Sequence, residues 1–164
     1  MLSKKMQAAL NEQINNELYA AYLYLSMSAW CESANLPGFA GALRKQAQEE
    51  ATHAMKIFDY VNDQDGRVTL DAVPKPPGNF KNIVDVYEQA LAHEQRVTSQ
   101  IHKLADLAGR ERDHASQALL QWFSTEQVEE EKSARRILEQ AKMIGASSSA
   151  LFFLDRHAEK GIGE

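Results

Sequence analysis

The sequence predicts an all-α protein: a four-helix bundle with a long crossover between its second and third helices and a short fifth helix near the C-terminal end. Three observations predict it. Apolar residues recur at alternating steps of three and four through four long segments, a spacing that gathers them on one face of a helix. Three of the four prolines fall within residues 66–80, which excludes a helix there and splits the segments into two pairs. A compact apolar run, Leu151-Phe152-Phe153-Leu154, follows the fourth segment.

The first helix spans 4–34, with Leu10, Ile14, Glu17, Ala21, Tyr24 and Ser28 as its inner stripe. Asn35-Leu36-Pro37-Gly38 breaks it, and Pro37 suits the first turn of the next helix. That second helix covers 37–64, with a stripe of Leu43, Ala47, Glu50, Ala54, Ile57 and Val61. It is about 42 Å long at 1.5 Å per residue. The crossover, 66–80, reaches about 50 Å when extended. It can therefore run the length of the bundle and start the third helix at the same end as the second.

The third helix spans 81–108, with Val84, Tyr87, Leu91, Glu94, Thr98, Ile101, Ala105 and Ala108 facing inward and Gly109 as its stop. Asp113 is the expected N-cap of the fourth helix, 113–144. Its stripe is Ser116, Leu120, Phe123, Gln127, Glu130, Ala134, Ile137 and Ala141, and Gly145 ends it. The fifth helix covers about 148–159. Four long helices already complete a bundle, so its apolar run is expected at a contact between subunits.

The chain of 164 residues reads as one domain, 1–164, large enough to bury a core without a disulfide. A net charge of −5 argues against nucleic acid as a partner. The single cysteine, Cys31, suits a reducing compartment. The opening thirteen residues hold no long apolar run and no small-residue cleavage site. The expected location is the cytoplasm, with no membrane span.

All four stripes carry polar residues near their middle: Glu17, then Glu50 with His53, then Glu94, then Gln127 with Glu130. Glutamate is rarely buried unless paired or bound to a cation. Four carboxylates at matching depth need about four positive charges in compensation, and two divalent ions supply them. Oxygen-rich ligation with one imidazole and no thiolate disfavours structural zinc, magnesium rarely recruits histidine, and iron or manganese fits best. Carboxylate-bridged metal pairs are built in four-helix bundles from glutamates and Glu-x-x-His turns of this kind. The remaining histidines, His93, His102, His114 and His157, are expected at the surface or in structural roles. His93 adjoins Glu94 and so is expected to point off the ligand face.

Along essentially its whole length the sequence resembles the bacterial non-haem ferritins. The resemblance is carried by Asn11-Glu12-Gln13 and Glu17-Leu18-Tyr19-Ala20, by Gln48-Glu49-Glu50-Ala51-Thr52-His53, by His93-Glu94-Gln95, and by Gln121-Trp122-Phe123 with Glu126-Gln127-Val128-Glu129-Glu130-Glu131. It implies iron storage: oxidation of Fe2+ to Fe3+ by dioxygen or peroxide at a ferroxidase centre within each subunit. It also implies ferric oxyhydroxide mineral deposited inside a hollow shell of two dozen identical subunits.

Carried over residue by residue, the resemblance gives one iron to Glu17, Glu50 and His53. It gives its neighbour to Glu50, Glu94 and Glu130, with Gln127 close by. It implies a third, looser iron position at Glu49, Glu126 and Glu129, with Glu130 shared, and a role for Tyr24 beside the centre. Trp122 is expected to pack next to the ligand turn.

Departures narrow the resemblance. Bacterioferritins carry a methionine haem ligand directly after the second-helix glutamate, where this chain has Ala51, so no haem is expected. Bacterioferritins and stable di-iron oxidases, the alternative reading, carry a second Glu-x-x-His where this chain has Gln127 and Glu130. Animal-type ferritins line an iron pore with acids at positions that are Gln117 and Leu120 here. That leaves another pore, or acids near the third-to-fourth turn such as Glu111 and Asp113, as the way in.

Overall fold

The computed structural model describes residues 2–158. The predicted end of the last helix at 159 lies outside them. Among the described residues five helices follow in order: α1 Lys4–Ser33, α2 Pro37–Asp63, α3 Ile83–Glu111, α4 His114–Ile144 and α5 Ser148–Ala158.

Local chemistry sets their ends. Ser3, Asn82 and Asp113 each accept a backbone N–H from the first turn of α1, α3 and α4, and Pro37 opens α2. Asn82 is spent as a cap, so α3 begins at Ile83, two residues later than the periodicity suggests. It also runs past Gly109. A glycine costs a helix about 1 kcal/mol relative to alanine without ending it. The stop comes from Arg112, whose φ of 55° is left-handed and turns the chain into α4.

The crossover is strapped along α1. Gln7 accepts the N–H of Arg67, and Asn11, Asn15 and Ser26 donate to the carbonyls of Arg67, Ala72 and Pro77. Phe80 then meets Trp30 edge-to-face. Residues 67–80 therefore climb α1 from its first turn to its last, and α2 and α3 start at the same end.

The buried apolar residues fall into two clusters. One contains Leu23, Met27, Phe39, Leu43, Tyr87 and Ile137; the other contains Leu10, Ile14, Ile57, Ile101, Leu120 and Phe123. On every long helix the polar residues singled out from the sequence lie between the two. The core is thus interrupted by one polar layer that crosses the bundle. Helices α1 with α2, and α3 with α4, pack as hairpins, and α1 joins α3, whereas no Cα of α2 comes within 8 Å of one in α4.

The fifth helix differs from expectation. It folds back over the end of its own bundle, with Leu151 and Leu154 packed on the first apolar cluster. Asp155 is buried and accepts the backbone N–H of Phe39 at 2.9 Å. The backbones approach so closely at Gly38 that a Cβ there would strike the Asp155 carbonyl. A free N–H at the start of α2 and a glycine beside it make this docking site within the chain. Phe152 and Phe153 stay exposed.

Candidate metal centre

The polar layer brings together the residues that the stripes single out. Glu17, Glu50, His53, Glu94, Gln127 and Glu130 are all buried, Glu17 and Glu94 to 1% exposure. Their positions follow from helical spacing. Glu50 and His53 are one turn apart on α2, and Nδ1 of His53 lies 3.2 Å from Oε2 of Glu50. Gln127 and Glu130 repeat the spacing on α4. Gln127 donates to the Glu94 carboxylate at 3.1 Å and to its backbone carbonyl at 3.2 Å. Tyr24 donates its hydroxyl to the other carboxylate oxygen of Glu94.

Burial dominates the electrostatics. It pushes the carboxyl of Glu17 up to about 8, with the charge of Glu50 adding to it. Burial and then the charge of Glu94 push Glu50 up to about 8 as well. Glu130 rises to about 9, through burial and then Glu50 and Glu94. Burial also raises Glu94, against the hydrogen bonds from Tyr24 and Gln127. The same burial, with Glu94 nearby, raises the Tyr24 phenol.

Among the described residues no lysine or arginine pairs with any of these four carboxylates. Four buried acids with neutral hydrogen-bond donors but no organic cation are a donor set short of positive charge. A divalent ion fits that deficit. Three groups of ligand atoms lie close enough to hold one, each within 4.8 Å: Glu17, Glu50 and His53; Glu50, Glu94 and Glu130; and Glu49, His53, Glu126 and Glu130. The first two share Glu50, so its carboxylate stands where a bridge between two ions belongs. The third opens onto a cleft of about 500 Å³ between α2 and α4, lined by Gln46, Glu49, Glu126, Glu129 and Glu130 over a floor that includes Tyr24 and Leu43.

Glu129 and the α3 stripe depart from the sequence reading, whereas His93, His102, His114, His157 and Trp122 take the surface, structural or packing roles it expects. Glu129 does not join the third group; its exposed carboxylate faces Lys132 at 3.4 Å, and His53 is in the group instead. His93 is buried. It packs against the rings of Tyr19 and Tyr24, and neither ring nitrogen has a hydrogen-bond partner. Burial lowers its pKa to about 4, so it fills that space as a neutral ring. The stripe on α3 is centred nearer Val86, Ala90 and Val97 than the spacing from Glu94 suggests. His102, His114 and His157 are exposed. Trp122 packs edge-on to His53, with the Lys56 ammonium 4.2 Å from its ring centre.

Two residues went unnoticed. Gln13 donates to Glu17 at 2.8 Å, and Gln46 donates to both Glu50 and Glu130. Their signal was present in the sequence: each glutamine stands four residues before the glutamate it serves, one helical turn away.

The profile of the ferritin-like domain matches residues 7–144. The chain belongs to the ferritin family. It is 42% identical to the bacterial non-heme ferritin of Campylobacter jejuni, over 96% of this chain and 94% of that one. It is 40% identical to the bacterial non-heme ferritin of Staphylococcus saprophyticus, over 95% and 93%. Among solved structures, an open-pore ferritin of the hyperthermophilic archaeon Archaeoglobus fulgidus superimposes with a TM-score of 0.95, at 47% identity over 96% of both chains. A closed form of that ferritin, engineered by site-directed mutagenesis, gives 0.96 at 46% identity. Ferritin membership accounts for the bundle, the crossover and the short last helix together. No helix of this ferritin among the described residues is long and apolar enough to cross a membrane.

Proposed function

We propose that the chain stores iron in the cytoplasm. In this reading it oxidises Fe2+ with dioxygen or peroxide at a two-metal centre inside each subunit. It deposits ferric oxyhydroxide within a shell of two dozen copies, limiting iron-driven oxidative damage. One observation carries the reading: two buried acid groups share Glu50, and among the described residues no lysine or arginine neutralises them.

Ferrous ions are the substrate. Glu17, Glu50 and His53 hold one, and Glu50, Glu94 and Glu130 hold the other, with Gln127 steadying Glu94. Each ferrous ion gives one electron, so a pair reduces one dioxygen, which takes up two protons, to one hydrogen peroxide. With peroxide as oxidant, the same two electrons and two protons yield two waters. The protein contributes proximity and charge balance. The buried carboxyls surrender protons as ferrous ions arrive, since a ligand must be deprotonated to bind. Tyr24 fixes Glu94 from the α1 side. The group of Glu49, Glu126 and Glu130, with Glu129 at its exposed edge, holds a third iron and leads outward through the cleft.

Stopped-flow mixing of the metal-free shell with Fe2+ in air tests the proposal, with particle size measured alongside. The expected result is a fast phase that saturates at two or three irons per subunit on a large shell. Oxidation no faster than in buffer would overturn it.

A further inference from the structure

The residue that the reaction leaves unexplained is Gln46. It stands on α2 one turn before Glu50. Its Nε2 lies 2.8 Å from Oε1 of Glu50 and 2.8 Å from Oε2 of Glu130, so the two amide hydrogens are divided between two carboxylates on different helices. The backbones of α2 and α4 stay more than 8 Å apart, and this amide spans the open flank between them. Glu50 is itself divided: Oε1 faces Gln46, while Oε2 faces Nδ1 of His53.

Glu50 and Glu130 are two of the three ligands of the second metal group. A cation bound between Oε1 of Glu50 and Oε2 of Glu130 would sit where the amide hydrogens of Gln46 now lie. A hydrogen-bond donor and a cation that seek the same space between two oxygens exclude each other. The first group does not meet this conflict, because it approaches Glu50 from the His53 side and needs neither Gln46 nor Glu130. Deepening the two-metal reading, on which this inference rests, we propose that Gln46 is a latch on the second metal position. It ties Glu50 to Glu130 across the α2–α4 cleft while that position is empty. It gives up both hydrogen bonds when an ion enters. The two positions therefore fill in order, the first with the latch closed and the second against it.

Because the two bonds exist only before the second ion binds, their loss weakens that ion's binding and no other. Gln46→Met keeps the length and removes the donors. The test is a titration of the metal-free shell with Co2+, which dioxygen does not readily oxidise at such ligands. Binding heat and the visible spectrum of the bound ion are followed together in mildly alkaline buffer. The native chain should bind in two resolved steps. Gln46→Met should tighten the second step by roughly three- to tenfold, the scale of the hydrogen bonds no longer broken, and leave the first within about twofold. Gln46→Glu, which exchanges the donors for carboxylate oxygens, should tighten the second step further and alter its spectrum.

A second step unmoved in Gln46→Met, or both steps moving in parallel, overturns the latch alone. A native chain that binds no second Co2+ overturns the two-metal reading and the latch with it. Melting the metal-free variants confirms that each is folded before its titration is scored.

Discussion

Asp155 of α5 accepts the backbone N–H of Phe39 in the first turn of α2, 2.9 Å away and sealed from solvent. This one bond is a helix cap supplied from more than a hundred residues along the chain, and it fixes the last helix to the bundle end. Asp155→Ala should cost about 1–2 kcal/mol, the usual worth of such a cap. Gly38→Ala should do more harm, because its Cβ would meet the Asp155 carbonyl and force α5 off. Thermal melting and hydrogen exchange of residues 148–158 check both. If exchange in α5 is no faster in Gly38→Ala, the close approach does not hold it.

The buried acids make stability depend on pH. The carboxyls of Glu17 and Glu50 rise to about 8 and that of Glu130 to about 9 in the folded, metal-free protein. A proton held more tightly when folded stabilises the fold fully below the unfolded value of about 4.5. That stabilisation is lost as pH rises through 8 to 9. The metal-free melting temperature should therefore fall between about pH 4.5 and pH 9 and level off above. Metal binding near neutral pH should release protons. Calorimetry in buffers of different ionisation heat counts them, and a binding heat independent of buffer would contradict the assignment.

Neutralising the layer should trade activity for stability. Glu50→Gln keeps size and hydrogen bonding but removes the shared ligand. Fast ferrous oxidation should disappear, while the metal-free protein becomes more heat-stable above pH 8, where Glu50 otherwise begins to carry charge. His53→Ala should abolish the fast phase without that gain. Comparing melting curves with stopped-flow traces separates the two effects.

Tyr24→Phe removes the hydroxyl that meets Glu94. A buried carboxyl left short of a donor costs about 1–3 kcal/mol. The metal-free protein should lose stability on that scale. Ferrous oxidation should slow without losing its two-iron amplitude, which rapid mixing at a fixed iron-to-subunit ratio reads directly.

The third position offers a sharper contrast. Glu49 and Glu126 lie with His53 and Glu130 in one group of ligand atoms, while Glu129 faces Lys132. Glu126→Ala should reduce fast uptake from three irons per subunit to two. Glu129→Ala should leave uptake close to native. Equal losses from the two substitutions would restore Glu129 as a full ligand.

Most of the fold was legible in the sequence, and so was the buried polar layer that crosses it. On α2 and α4 every stripe residue is buried, because a step of three or four around polar neighbours admits one inward face. On α3 Tyr87, Glu94, Ile101 and Ala108 are buried but Val84, Leu91, Thr98 and Ala105 are only half-buried, because the buried arc is centred nearer Val86, Ala90 and Val97. His93 is a buried packing ring, within the structural role expected for it, because a helix packed on two neighbours buries a wider arc than one stripe. The direction of α5 was not legible either. Four apolar residues in a row say that something must cover them, and only the pairing of Asp155 with Phe39 says what covers half of them. For Gln46, helical spacing reveals the partner on its own helix, Glu50, and not Glu130 on another.

The crossover has a consequence for timing. Glu17, Glu50 and His53 all lie in the first hairpin, which leaves the ribosome before residues 66–80 have been made into a strap. Glu94 and Glu130 come later, on the second hairpin. A nascent or half-folded chain can thus gather ligands for one ion and no more. One ferrous ion supplies a single electron, too few to take dioxygen to peroxide. The competent pair of sites is born only when the hairpins dock, as domains of this size assemble from earlier-formed parts. On the proposed two-metal reading, the order of synthesis keeps the two-electron reduction of dioxygen out of the unfinished protein.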